Sequence, residues 1–119
     1  GGGSRNAGQL YKQAKALEAA AEADLLSQAD VVCTTCIGAG DRALERVKEF
    51  PVCVVDEASQ CTEPEVLVPL IRARAALLVG DTRQLQPTVV ADGARRLGLA
   101  VSLAERLERL GGPPPKLGT

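Results

Sequence analysis

The 119-residue sequence has no histidine, no methionine and no tryptophan, with a single tyrosine and a single phenylalanine. Without histidine there is no imidazole general base, no histidine-containing triad and no histidine metal ligand. Two aromatic rings cannot build a stacking platform for single-stranded bases. No apolar run approaches the roughly 18 residues of a membrane span, and no signal-peptide pattern is visible. No membrane partner is therefore expected, and the expected compartment is intracellular, the cytoplasm first and the nucleus second. Neither charge sign dominates: 14 basic residues face 15 acidic ones, for a net charge of −1. The bulk balance gives no basic surface for nucleic acid. A chain with no methionine that opens Gly1-Gly2-Gly3-Ser4 reads as an interior segment of something longer, with a linker or cut point at its front.

What is present suits one domain. The hydrophobic fraction is 45%, too high for a disordered chain, and Ala, Leu and Val supply most of it. The four cysteines are Cys33, Cys36, Cys53 and Cys61. Cys33-x-x-Cys36 could form half of a zinc site or a redox pair, but no second C-x-x-C follows. Cys33 and Cys53 sit in apolar β-branched runs, so buried thiols are the favoured reading.

The element pattern alternates. Leu10, Ala14, Leu17, Ala21 and Leu25 recur at helical spacing and predict an amphipathic helix over 9–28. Val31–Thr35 reads as a buried strand that ends at Gly38-Ala39-Gly40. Asp41 can cap a helix to about Glu49, which Pro51 stops. Val52–Val55 predicts a second strand. Thr62-x-x-Glu65 is a capping-box pattern for a helix to about Leu70, disturbed by Pro69. Ala75–Val79 predicts a third strand, and Ser102-x-x-Glu105 opens a helix to Leu110, with Gly111 at its end and Pro113–Pro115 beyond. Arg95-Arg96 reads as a solvated helix face. Apolar strands alternating with helices predict an α/β fold, a parallel sheet flanked by helices. The expected division is a linker or cut end over 1–8, a folded part over 9–110 and a Gly/Pro-rich end over 111–119.

Ligands of open α/β sheets bind outside the carboxyl ends of the strands. Two predicted strands end in acids: Val52–Val55 runs into Asp56-Glu57, and Ala75–Val79 into Gly80-Asp81. A carboxylate there suits a hard cation, most simply the Mg²⁺ of a nucleoside triphosphate. Four apolar residues followed by Asp-Glu is the Walker B pattern, in which the first acid holds the metal and the second orients or deprotonates water. An acid after a strand can equally be a solvated loop residue, so either pair alone carries little.

Together they carry more. Asp56-Glu57-Ala58-Ser59-Gln60, followed 19 residues later by Gly80-Asp81-Thr82-Arg83-Gln84-Leu85-Gln86-Pro87, resembles motifs II and III of superfamily 1 helicases. The segments Ala29–Asp41, Asp56–Pro64 and Gly98–Leu107 are similar to up-frameshift-like helicases of the nonsense-mediated-decay type, a likeness that covers about residues 22–110. The resemblance implies a partial RecA-like P-loop NTPase domain, the C-terminal part of the first of two such domains. It further implies ATP and Mg²⁺ as cofactors and 5′ to 3′ movement on single-stranded RNA or DNA. By the same resemblance Asp56 binds Mg²⁺, Glu57 activates water, and Gln84 senses the γ-phosphate, with Gly80 and Asp81 shaping its loop. Thr34, Thr35 and Gly38 lie where the family touches the nucleic-acid backbone; β-branched strand filling is the competing reading for the threonines. Arg83 reads as solvated. A DNA-directed relative of the same group would suit Gln86-Pro87-Thr88 as well.

One part is missing. None of the lysines Lys12, Lys15, Lys48 and Lys116 precedes Ser or Thr, so the chain holds no G-x-x-x-x-G-K-[ST] phosphate loop. The resemblance places that loop, and the second RecA-like domain with its arginine fingers, elsewhere in a parent chain, as partners of this one. The isolated chain is therefore expected to be inactive, and marginally stable because a sheet cut before its P-loop strand leaves an edge exposed. A degenerate interaction module that keeps the fold without the ATPase cycle is the alternative.

Overall fold

In the computed structural model the described residues are 2–45, 47 and 49–111. They fall into two compact units, residues 1–48 and 49–119, and each is described by itself.

The first unit is helical. Helix α1 covers Gly2–Gln28, seven residues longer at its front than the apolar periodicity predicts. It thus takes in residues 2–8 of the expected linker. Once a helix is nucleated, each added residue closes another hydrogen bond, so propagation runs past the amphipathic stretch. Leu10, Leu17 and Leu25 all stand exposed along it, and Lys15 pairs with Glu18 at 2.6 Å. Val31–Thr35, expected as a strand, has no regular secondary structure and belongs to no ladder among the described residues. Its β-branched residues favour extended backbone, but a strand also needs a neighbour to take its N–H and C=O groups. Among the described residues it has none. A 3₁₀ turn at Gly38–Gly40 leads to the short helix α2, Arg42–Glu45. Asp41 Oδ1 accepts the Ala43 N–H at 2.9 Å, which is the expected cap, but described helix ends at Glu45 rather than near Glu49.

The second unit holds the sheet. Strands β1 (Phe50–Val55) and β2 (Ala73–Leu78) pair in parallel, with Val52 opposite Ala75 and Val55 opposite Leu78. Pro51, expected as a helix stop, lies inside β1, and the ladder begins where Phe50 N–H donates to the Arg72 carbonyl at 2.8 Å. The described sheet thus has two strands of the three expected. Val52 and Val54 are 55% and 62% exposed, and Leu77 55%, so one sheet face carries apolar side chains into solvent.

Between the strands runs helix α3, Glu63–Leu70, the crossover a parallel pair requires. Its Val66 is fully buried. Pro69 sits in its last turn, where the missing N–H helps end the helix at Leu70. Helices α4 (Asp92–Arg96) and α5 (Leu103–Gly111) follow. After α4, Gly98 has a φ of 97°. Its N–H donates to the Arg95 carbonyl and Leu99 N–H to the Ala94 carbonyl, a Schellman cap that wants glycine. Arg95 and Arg96 are both exposed as expected, and Arg95 also donates to the Val89 carbonyl at 2.7 Å. The core of this unit is Val55, Ala58, Val66, Val89 and Leu103, with the buried hydroxyls of Ser59 and Ser102. None of the cysteines is buried: Cys33 is exposed and the other three are half-buried. The runs that hold Cys33 and Cys53 lie in an unpaired segment and in a thin sheet, so the expected burial fails.

Both capping boxes form, with both arms present at α3. At α3, Glu65 Oε2 accepts both the Thr62 N–H and the Thr62 hydroxyl at 2.8 Å. At α5, Ser102 Oγ accepts the Glu105 N–H at 3.1 Å. Arg106 on α5 grips Glu63 on α3 with two hydrogen bonds of 2.6 and 2.9 Å. The guanidinium holds the Glu63 carboxyl below its ordinary value. The Thr62 bonds likewise lower Glu65 from its ordinary 4.5. A lowered carboxyl stabilises the fold at pH values above its unfolded value, and that contribution is lost as pH falls through the folded value. Thr62→Ala should cost about 1 kcal/mol, and its penalty in denaturant titrations should shrink as the pH is taken below 4.5.

Candidate active site

Both acid-bearing turns start at the carboxyl ends of the parallel strands. The ladder continues past the strands themselves: Val79 N–H donates to the Val55 carbonyl at 2.8 Å, and Ala58 N–H donates to the Val79 carbonyl at 2.8 Å. The first turn is thereby fastened to the end of β2. Asp56 Oδ1 accepts the Glu57 N–H at 2.9 Å. Glu57 then takes a left-handed backbone conformation, φ 53° and ψ 36°, the only positive φ at a non-glycine described residue. Such a conformation costs on the order of 1 kcal/mol for an L residue and persists where surrounding bonds impose it. Here a 3₁₀ turn, Ala58–Gln60, follows at once. Ala58 and Ser59 are buried, while Asp56, Glu57 and Gln60 face solvent.

The second turn, Gly80–Gln84, is built around Asp81. Its Oδ1 accepts the Arg83 N–H at 2.9 Å and its Oδ2 the Gln84 carboxamide N–H at 3.2 Å. Its carbonyl accepts the Gln84 N–H at 3.1 Å. Thr82 donates its hydroxyl to Glu108 on α5, and Pro87 is buried. Arg83 and Gln84 are exposed, as expected for Arg83.

Gly80 brings the turns together. A Cβ at this position would lie 3.0 Å from Ser59 N and 3.2 Å from Ala58 N. Both are backbone atoms and cannot swing aside. The sequence-predicted residues Asp56, Glu57, Gly80, Asp81 and Gln84 thus belong to two adjoining turns in one unit. Thr34, Thr35 and Gly38 belong to the other unit and form a cluster of their own. Gly38 N–H donates to Thr35 Oγ1 at 3.0 Å, and Thr34 Oγ1 also crowds the position a Gly38 Cβ would take. Both threonines are exposed and outside any strand, so neither fills a sheet interior.

Asp56 offers hard carboxylate oxygen at a strand end, a donor type that suits a magnesium ion. Among the described residues no group of three or more acids, cysteines or histidines could hold a metal ion by itself. Three further residues support the turns, of which Ser59 and Gln60 belong to the Asp56–Gln60 motif without a role assigned from sequence. Gln60 and Ser59 lie in the first turn, and Glu108 anchors the second. The spacing Glu57-x-x-Gln60 was the available signal for Gln60.

A parallel sheet with acidic turns at its carboxyl ends defines a partial RecA-like α/β domain. Comparison with known proteins agrees. The AAA domain family model matches residues 4–92. "Regulator of nonsense transcripts 1 homolog" of Drosophila melanogaster is 50% identical over 107 residues, 89% of this chain and 9% of that protein. "ATP-dependent helicase NAM7" of Saccharomyces cerevisiae is 45% identical over 97 residues, 81% of this chain and 10% of that protein. "DNA replication ATP-dependent helicase/nuclease DNA2" of Mus musculus is 46% identical over 86 residues, 72% of this chain and 8% of that protein. The chain belongs to the AAA domain family, within its up-frameshift-like superfamily 1 helicases. It spans about a tenth of the length of these relatives. Among the described residues no helix is long and apolar enough to cross a membrane.

Gly80→Ala should destabilise the fold by about 1–3 kcal/mol, the usual cost of forcing a methyl into closed space. Gly93→Ala, where nothing lies within 4 Å, should be neutral or slightly stabilising. Chemical denaturation of the two variants side by side checks the contrast.

Proposed function

We propose that this chain is the motif II and III part of an ATP-driven helicase. The longer protein would move 5′ to 3′ along single-stranded nucleic acid, with the cytoplasm as its first compartment and the nucleus as its second. The observation that carries the reading is the fastening of the Asp56-Glu57 turn to the Gly80–Gln84 turn by the Ala58–Val79 hydrogen bond and the Gly80 approach. That fastening holds the turn that carries Asp56 and Glu57 against the turn that carries Gln84, which suits phosphate-bond hydrolysis coupled to nucleotide sensing.

In this reading Asp56 holds Mg²⁺, which would offset the negative charge that develops on the phosphate oxygens. Glu57 orients a water and accepts its proton as the oxygen–phosphorus bond forms and the bond to the leaving diphosphate breaks. Gln84 offers two N–H donors and one carbonyl, so it can donate to a γ-phosphate oxygen and accept from a second group. In the structure one N–H donates to Asp81, and a phosphate oxygen would take the other. Thr34, Thr35 and Gly38 supply hydroxyl and backbone N–H groups of the kind that contact a nucleic-acid backbone. Partners are the P-loop segment and second RecA-like domain of the parent chain. RNA is the favoured substrate, since the relatives named for nonsense transcripts match over more of the chain than the DNA2 relative. The DNA-directed reading rests on that relative's 46% identity.

Glu57→Gln in the full helicase chain should lower nucleic-acid-stimulated ATP hydrolysis by about 10²-fold or more, with nucleotide affinity retained. The 119-residue chain alone should hydrolyse no ATP above background. An unchanged rate in Glu57→Gln, or nucleic-acid-stimulated hydrolysis by the isolated chain, would contradict the proposal.

A further inference from the structure

We propose that Gln60 is a positioning residue that fixes the carboxylate of Glu57, an inference that rests on the reading of Glu57 given above. Gln60 is bonded to Glu57 twice. Its backbone N–H donates to the Glu57 carbonyl at 2.9 Å. Its carboxamide Nε2 donates to Glu57 Oε2 at 3.0 Å. Together the two bonds tie both ends of Glu57 to one neighbour. The turn between them is rigidly seated. Ala58 and Ser59 are buried, Ala58 N–H is taken by the Val79 carbonyl, and α5 packs against the turn. Gln60 therefore starts from a fixed backbone, and its reach sets where the Glu57 carboxylate rests.

The chemistry of the partner matters. An exposed carboxylate on a two-carbon stem otherwise samples several rotamers. One amide hydrogen bond selects among them and adds no charge, whereas an Arg or Lys would partly neutralise the carboxylate that must take a proton. The bond occupies Oε2 only and leaves Oε1 to face a water. Asp81 and Gln84 repeat the device in the second turn, again three residues apart and again acid with amide. Nothing else among the described residues requires a glutamine at position 60, because its side chain is exposed and its backbone would be bonded whatever the residue.

The test is a mutant cycle in the full helicase chain. Gln60→Met keeps the length of the side chain and removes the donor. Its kcat for nucleic-acid-stimulated ATP hydrolysis should fall about tenfold, while KM for ATP and the melting temperature stay near wild type. Misplacing a reacting group by about 1 Å has effects of this order or greater. In a Glu57→Gln background, single-turnover phosphate release should show no further fall on adding Gln60→Met, because the residue acts through Glu57. An unchanged kcat, a loss confined to KM, or a tenfold fall that persists in the Glu57→Gln background would each overturn the assignment. A wild-type chain without ATPase activity, or a Glu57→Gln variant as active as wild type, would instead overturn the underlying reading, and this assignment with it.

Discussion

One backbone hydrogen bond, from Ala58 N–H to the Val79 carbonyl, organises the second unit. It extends the parallel ladder beyond the last paired residues and carries it into the turn that follows β1. Because that turn starts with Asp56 and Glu57, the bond fixes the acids relative to the end of β2. Glycine at position 80 is the companion constraint. Any side chain there would press on Ser59 and Ala58 backbone, which would have to give way by a few tenths of an ångström. The left-handed conformation of Glu57 is best understood as a consequence: the chain must reverse within one residue to bring Ala58 into register.

From this constraint the chemistry follows. Acids at strand ends stay in solvent, where they can meet phosphate and a cation, while the residues between and beneath them are buried. Each turn then settles its own acid with a local amide, Gln60 for Glu57 and Gln84 for Asp81. The helices serve the same end from behind. Helix α3 spans the crossover, α5 backs the Ala58–Gln60 turn and is tied to α3 through Arg106 and Glu63, and Glu108 holds Thr82 of the second turn.

Much of this was legible in the sequence, and the reason is local. Apolar runs that end in Asp-Glu and Gly-Asp marked both strands and both turns, and Thr62-x-x-Glu65 and Ser102-x-x-Glu105 marked two helix starts. These signals depend on neighbours within a few residues. The failures depend on distant partners. Val31–Thr35 has the composition of a strand, but pairing decides strands, and no ladder reaches it. Cys33 and Cys53 sit in runs that look buried, but Cys33 lies in the unpaired segment, and a two-stranded sheet with Val52 and Val54 exposed leaves Cys53 half-buried. The first helix ran past its amphipathic stretch because helix propagation does not need an apolar face. At the site, residue types were readable, but the Gln60–Glu57 contact depended on a left-handed turn that no residue type at position 57 announces.

The membership of the chain in its family and the roles of its residues are separate matters. Identity of 45–50% over most of the chain settles the first. The second rests on whether the two turns form one rigid site. Residue-resolved hydrogen exchange under native conditions reads that directly. If the turns are fastened as described, the amides of Ala58 and Val79 exchange slowly and together with those of the β1–β2 ladder, while amides of Val31–Cys33 exchange as open chain. Exchange of Ala58 at the open-chain rate, with the ladder still protected, would contradict a site held by that bond.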